Sequence, residues 1–599
     1  MRLLAIFCAL VCPALAREYT ELERSQLPRL YHLDDYERCV GLGGLYCTGT
    51  FRLYPEKDSM AYKFIKEYAS DPRHFDRTLL HRGYCLSARC PTHEANTTLR
   101  FERCVEQHAL VPGLRAAMVT HSCSTRVEEV DTPQRIFLYV VVLFVALNVL
   151  GTMYDLVGGE KKNKFIVAWS VRANWRRLVS TYEDGDPRLS ALAPIQGVRV
   201  VLLVLVMMTH SAEIQHKLYQ YNPNYLEQIL NHPVTMLIRN GSALVQGFVV
   251  ISNFLFAYSL LLIARNRQLG LAQLPMCLLH RFLRLAPVHL LVVGFAATWW
   301  RRAGDGPQWH SIVGAESDVC RRKFFSHAFF LHNLVNTDEH CLLQTWFIAV
   351  DMQLYIVASV LTLWLMEKKK RAVPLLTALF FGSCLMNMCL AYINDWKSLL
   401  YIMLPENVRT TFRGVPSFSR FYVAPWGSLP ACFLGLLLAH LHYHMQENGY
   451  KLAKSKILYL CSHSAVPLHV ACIMAGNYVR AHTGRLATAL YAAVERPAFA
   501  LLSAVYVIAL VNHVDNIYRR LLSLRLLQAL GRLSLAVLML HWCVNMMLVA
   551  SRRTLSEVSV GNIASDLIST IWWTYVLALP LTLLVESPIQ KTFSAFISS

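Results

Sequence analysis

Eleven long apolar runs, returning again and again after residue 135, limit what this chain can become. They lie near 136–156, 193–211, 243–264, 285–300, 344–366, 372–393, 425–445, 457–476, 491–512, 529–550 and 566–585. Most are long enough to cross a hydrocarbon layer of about 30 Å as helices, the form in which a lipid-exposed backbone satisfies its own polar groups. Over 599 residues that are 55% hydrophobic, the pattern predicts an all-α polytopic membrane protein of about eleven transmembrane helices. The formal charge of +19 does not point to nucleic acid, because the basic residues sit in short loops between apolar runs. No fixed-period repeat of the kind paired-repeat transporters carry is visible.

The first sixteen residues, "MRLLAIFCALVCPALA", combine Arg2, a short apolar core and an Ala-x-Ala ending, and predict a cleaved signal peptide over 1–16. The mature chain then starts in the lumen. Residues 17–131 are polar and hold Cys39, Cys47, Cys85, Cys90, Cys104 and Cys123. In an oxidising compartment an even count favours disulfides, with fifteen pairings open, so this segment reads as a small disulfide-rich lumenal domain. A metal is not expected there, since no CxxC pair repeats and the histidines are scattered. The sequon at Asn96 fits a glycosylated lumenal segment. From a lumenal start, "EKKNK", "RANWRR", "ARNR", "KKKR", "KLAKSK" and "YRR" all fall on the cytosolic side, as does the C-terminus. Cys320 and Cys341 then share a lumenal loop between the fourth and fifth spans and form a fourth candidate disulfide.

Several polar residues sit where lipid should forbid them. The second span reads "GVRVVLLVLVMMTH", with Arg199 and His210 eleven residues apart, about 16 Å along a helix. Snorkelling of Arg199 and interfacial capping by His210 is the simpler account of an isolated pair. In "QTWFIAVDMQLY", Asp351 follows Trp346 by five residues and shares a face with Tyr355, while Gln353 turns away. A carboxylate there is a functional candidate, or else pairs with an arginine to lock helices. His541 lies mid-span, and Glu586 closes the last span in "VESP". Arg281 and Arg284, at i and i+3 in "HRFLRLAP", can face one anion, although topology alone also places arginines there. Pro287 suits the first turn of a helix.

Together these residues suggest a phosphorylated co-substrate on the cytosolic side and a base deeper in the membrane. Arginine forks match phosphate oxygens, a neutral His210 can take a proton from a hydroxyl or amine, and Asp351 can stabilise the imidazolium. Coenzyme A esters are anions of this kind with a group to transfer.

The chain resembles the nose-resistant-to-fluoxetine family, which joins a cysteine-rich N-terminal domain to a membrane domain of the acyltransferase-three superfamily. The resemblance is carried by "DDYERCVGLGGLYCTG" and "GYCLSARC", by the Arg199 to His210 spacing, by Arg-x-x-Arg-x-x-Pro at 281–287, by "WFIAVDMQLY", by "LSLAVLMLH" ending at His541, and by "VESP". It implies a membrane domain over 193–590 behind the span at 136–156, with His210 and Asp351 catalytic and Arg199, Arg281 and Arg284 binding the donor. Trp346, Gln353, Tyr355, His541 and Glu586 would support them. It implies transfer from acyl-CoA, as co-substrate and not as a resident cofactor, to a lipid or small-molecule acceptor, with no metal. Two departures stand out: Ser428 and Cys432 replace an arginine and a tyrosine of the family pattern, and "VNHVDN" at 511–516 replaces a Gly-rich turn. A degenerate member retained for lipid or small-molecule transport is the alternative reading. The expected setting is the endoplasmic reticulum or the plasma membrane, among membrane lipids.

Overall fold

The computed structural model describes residues 19–56, 58–90, 96–108, 113–124, 129–159, 162–180 and 192–598, so the signal peptide expected over 1–16 lies outside the described residues. Residues 19–124 form a unit built on a four-stranded sheet, which the all-α expectation did not include. Its order is β1-β3-β2-β4, with β1 (Tyr31–Leu33) parallel to β3 (Leu79–Cys85), and β2 (Tyr46–Pro55) antiparallel to both β3 and β4 (Leu114–Cys123). The second half of strand β2 alternates as a half-covered strand should, with Phe51 and Leu53 inward, and these with Cys47 pack with Ile65 and Tyr68 of helix Met60–Ser70 and with Phe101. Three disulfides select one of the fifteen pairings: Cys39–Cys85, Cys47–Cys123 and Cys90–Cys104. Cys47 and Cys123 are direct cross-strand partners, so the sheet register itself brings them together.

The remainder is a helical bundle. We number its main helices α1 (Thr132–Val157), α2 (Ala193–Ile214), α3 (Leu244–Ile263), α4 (Leu274–Thr298), α5 (Ala315–Ala328), α6 (Trp346–Met366), α7 (Lys369–Asn394), α8 (Leu429–Glu447), α9 (Lys456–Met474), α10 (Arg485–Val511), α11 (Arg525–Arg532), α12 (Ser534–Ala550), α13 (Val560–Leu581) and α14 (Ser587–Ser598). The start of α1 is chemically specified: Asp131 accepts from the Gln134 backbone, the Gln134 side chain accepts from the Asp131 N–H, and Pro133 occupies the first turn.

Nine helical stretches among the described residues are long and apolar enough to cross a membrane, or ten if a bent pair is one span, against the eleven expected. The bent pair is α11 and α12, which meet at 70° within the run expected over 529–550. Arg532, at the bend, donates to the carbonyls of Arg177 and Leu178, and Gly531 lies against the backbone of Gln196. The other shortfall is the run at 425–445. It is helical as α8, but His440, His442, His444 and Glu447 make its second half polar, and α3, α7 and α10 surround it. Pro287 also departs from expectation: α4 begins thirteen residues earlier, at Leu274, so the proline is internal to the helix.

The disulfide unit docks on one end of the bundle. Tyr31 stacks on Tyr219 with ring centroids 5.2 Å apart, and the buried carboxylate of Glu227 accepts from Tyr68 Oη at 2.6 Å and from the Phe75 N–H at 2.8 Å. Tyr36 Oη donates to Asp305, which also pairs with Arg553 at 3.0 Å. These contacts all involve the connections that follow α2, α4 and α12, Glu227 from the short helix Pro223–Asn231. The Cys320–Cys341 disulfide closes a loop between α4 and α6, at the end of the bundle to which α4 runs.

Helix α2 is held by close backbone approach. A Cβ at Gly197 would sit 2.3 Å from the Leu522 carbonyl oxygen and 2.7 Å from its Cα, and backbone cannot yield as a flexible side chain can. Gly197→Ala is therefore expected to lower stability by about 1–3 kcal/mol, read as a lower melting temperature in detergent. An unchanged melting curve would mean that this contact does not constrain α2.

Candidate active site on helix α2

Helix α2 carries Arg199 and His210 toward opposite ends of the bundle, and the structure gives each a different neighbourhood. At the docked-domain end, His210 Nδ1 lies 2.8 Å from His541 Nε2 on α12, with the two ring planes 2° apart. His541 Nδ1 lies 3.2 Å from the Val537 carbonyl. A carbonyl oxygen only accepts, so His541 carries its hydrogen on Nδ1 and its Nε2 is a lone pair. That lone pair must accept from His210 Nδ1–H, which leaves His210 Nε2 as a basic lone pair. Glu213, one turn further along α2, places Oε2 3.9 Å from that nitrogen. Trp542 packs edge-on against the His210 ring at 5.3 Å.

This arrangement corrects one expectation. Asp351 does not meet His210; it pairs with Arg281 on α4 and accepts from Ser252 Oγ on α3 at 3.0 Å. Arg281 also donates to Ser252 Oγ at 2.8 Å, and its guanidinium lies over the Tyr355 ring at 4.9 Å. Asp351 and Tyr355 do share a face, and both use it on Arg281. The carboxylate near His210, foreseen as Asp351 stabilising the imidazolium, is instead Glu213, while His541 Nε2 contacts His210 Nδ1. Gln353 points elsewhere, donating to Phe330 O at 2.8 Å and to Asn333 Oδ1 at 2.8 Å, so it braces the loop before α6.

Three separate cavities lie along α2, each sharing wall residues with the next. The first, of about 220 Å³, is lined by Arg177, Arg199, Arg284, Arg532 and Lys591, with Glu586 as its carboxylate. The second, of about 90 Å³, shares Arg199 and Arg284 with the first and adds Arg281 and Asp351. The third, of about 50 Å³, holds His210, Glu213 and Trp346 and shares Phe248, Phe347 and Leu538 with the second. Between the cationic chamber and the histidine cavity thus lies a small middle cavity whose walls mix Arg199, Arg281, Arg284 and Asp351 with apolar side chains. Glu586 accepts from Gln590 Nε2 at 3.2 Å within the chamber wall.

Arg177, Arg532, Lys591 and Glu213 were missed in the sequence. The first three lie on separate segments that only the fold gathers. Glu213 was visible, three residues after His210 in "THSAE", and helical spacing alone could have flagged it.

A fourth cavity, of about 550 Å³, lies between the sheet and the bundle and is polar, with Thr50, His81, Lys217, Arg301, Glu316 and Arg413 among its walls. Lys217 pairs with Glu316 at 3.5 Å, and Glu316 Oε1 accepts from Trp542 Nε1 at 2.8 Å. One side chain, Trp542, therefore separates this cavity's floor from His210. Burial, then Arg409 and Arg82, holds the His81 imidazole well below its usual range.

The two departures from the family pattern acquire local explanations. Ser428 is fully buried and accepts from Gln246 Nε2 at 3.3 Å. Beside it, Arg496 of α10 donates to Tyr422 O, and a Cβ at Gly427 would meet its Nη1 at 2.3 Å. A guanidinium thus reaches this place from a different helix. In the 511–516 loop, His513 adopts φ 59°, the left-handed conformation in which glycine is the usual residue.

The fold and site define a multi-pass membrane protein with a histidine pair inside its bundle, a cationic chamber and a disulfide-stapled cap. A family model described as an acyltransferase domain matches residues 193–589, and the chain belongs to that family. It is similar, at 22% identity over 616 aligned residues, to "Nose resistant to fluoxetine protein 6" of Caenorhabditis elegans, covering 92% of this chain and 72% of the relative. This is the family resemblance that the sequence carries. No solved structure matches.

Proposed function

We propose that the protein transfers an acyl group from an acyl-CoA-type donor, bound in the cationic chamber at the cytosolic face, to a hydroxyl or amine acceptor that reaches His210 from the side of the disulfide-rich domain. The observation that carries this reading is the row of three cavities, adjacent ones sharing wall residues, that runs from Arg177, Arg199 and Arg284 to His210. Five cations against one carboxylate suit a polyphosphate, and guanidinium groups hold it by charge-assisted hydrogen bonds. The small middle and inner cavities suit an extended arm that carries the thioester inward. At its end His210 Nε2 takes the acceptor's proton as the acceptor oxygen or nitrogen bonds to the thioester carbonyl carbon. The C–S bond breaks, and the departing thiolate takes that proton from His210. The Glu213 carboxylate stabilises the imidazolium between these steps, and the polar cavity beyond Trp542 admits the acceptor.

The chamber is tested without knowing the acceptor. Purified protein is expected to bind coenzyme A and acyl-CoA at micromolar concentration by calorimetry. Arg199→Gln with Arg284→Gln should weaken this at least about 30-fold, at about 1.5–3 kcal/mol per lost charged hydrogen bond. Arg281 is left in place, because its partner is Asp351. A wild-type protein that binds neither ligand would remove the donor assignment and favour a degenerate, transport-type member.

A further inference from the structure

Three histidines outside this site meet beside the middle of α4. His289 on α4, His327 in the last turn of α5 and His332 in the following loop are all buried, and each offers a ring nitrogen within 4.8 Å of those of the others. His289 Nε2 and His327 Nδ1 are 3.3 Å apart. His332 Nε2 lies 2.9 Å from the Thr345 carbonyl, so it carries the hydrogen and leaves Nδ1 as a lone pair. His332 Nδ1, His327 Nε2 and His289 Nδ1 have no hydrogen-bond partner in the protein.

A buried polar atom without a partner costs about 1–3 kcal/mol, and the lone pair of His332 Nδ1, set among histidines whose ring nitrogens lie within 4.8 Å of one another, needs something to join it to them. Metal coordination does so. Zinc–imidazole bonds of about 2.0–2.1 Å at tetrahedral angles set neighbouring nitrogens about 3.3 Å apart, the spacing of the His289 and His327 pair. A histidine ligand whose second nitrogen donates to a backbone carbonyl is the usual way a ligand's tautomer is fixed, and His332 with Thr345 has that form. The rings of His327 and His332 are stacked, with centroids 3.8 Å apart and planes 7° apart. An ion lies in the plane of each ring that binds it, so one of these rings must turn out of the stack when the ion enters.

We propose that His289, His327 and His332 bind one zinc-class divalent cation, with a fourth position left for water. An all-imidazole set favours zinc over magnesium or calcium, which take oxygen ligands. The surrounding loop is already tied down, since Cys320–Cys341 brackets both His327 and His332, and Lys323 Nζ donates to the carbonyls of His332, Asn336 and Glu339. The ion would join α4 to the segment that ends at Thr345 and Trp346, beside the His210 cavity. Single-sequence spacing hides this group, because its members come from a span, a helix and a loop.

The test uses full-length protein without a histidine tag, stripped with chelator and dialysed against zinc chloride. Elemental analysis is expected to find one zinc per chain, and zinc, but not magnesium, should raise the melting temperature. His327→Gln should weaken zinc binding at least about tenfold. Wild-type protein that retains no more zinc than His327→Gln, or whose melting temperature zinc does not move, would overturn the proposal. Should the variant fail to fold, titration of wild type with zinc against a competing chelator decides alone: one tight site supports the assignment, and none sinks it.

Discussion

Replacing His210 by alanine is expected to reduce acyl transfer by about 10²–10⁴-fold, the range general acid–base catalysis contributes, while coenzyme A binding changes little. The separation of the two effects follows from geometry. His210 lines only the innermost of the three cavities, and the arginines of the cationic chamber lie toward the opposite end of α2. On the proposed mechanism, His541 acts through its hydrogen bond to His210 as a positioning residue. His541→Ala frees the His210 ring to take either tautomer, so kcat should fall and its dependence on pH should shift, with partial recovery in His541→Gln, whose side chain can still accept from Nδ1. A purely structural role for His541 would leave the pH profile where it is. Donor and acceptor turnover measured with His210→Ala at the wild-type rate would end the assignment of the base.

The features that depend on periodicity were legible in the sequence. Apolar runs located the helices, and the even cysteine count announced the disulfides. The two places where helix counting slipped both involve composition inside a run: Gly531 and Arg532 break the tenth, and three histidines polarise the seventh. Site residues were legible one by one, because an ionisable group in a span is conspicuous wherever it sits. Their pairing was not. Asp351 and His541 each had a plausible claim on His210, and only the packing of α12 against α2, and of α4 against α6, shows that the second histidine takes it while Asp351 serves Arg281. The chamber shows the same limit: Arg177, Arg532 and Lys591 are ordinary loop and helix-end cations in one dimension.

Asp351→Ala is expected to destabilise the bundle by about 3–5 kcal/mol, because it leaves the largely buried guanidinium of Arg281 without its anion. Ser252 Oγ and the Tyr355 ring would still touch that guanidinium, but a hydroxyl and an aromatic face do not neutralise a charge. Asp351→Asn keeps the shape and one acceptor and should fall between the two. The informative variant is the pair Arg281→Met with Asp351→Leu. Removing both charges lifts both desolvation penalties, so its melting temperature should recover to near wild type. If the ion pair only joins α3, α4 and α6, that double variant also keeps the His210 reaction's pH profile, with loss confined to donor affinity through the middle cavity that Arg281 lines. A double variant that is stable yet shifted in pH profile would return Asp351 to the catalytic machinery despite its distance from His210. Equal melting of Asp351→Ala and wild type would instead show that the arginine finds another anion, and that the pair is not what holds these helices together.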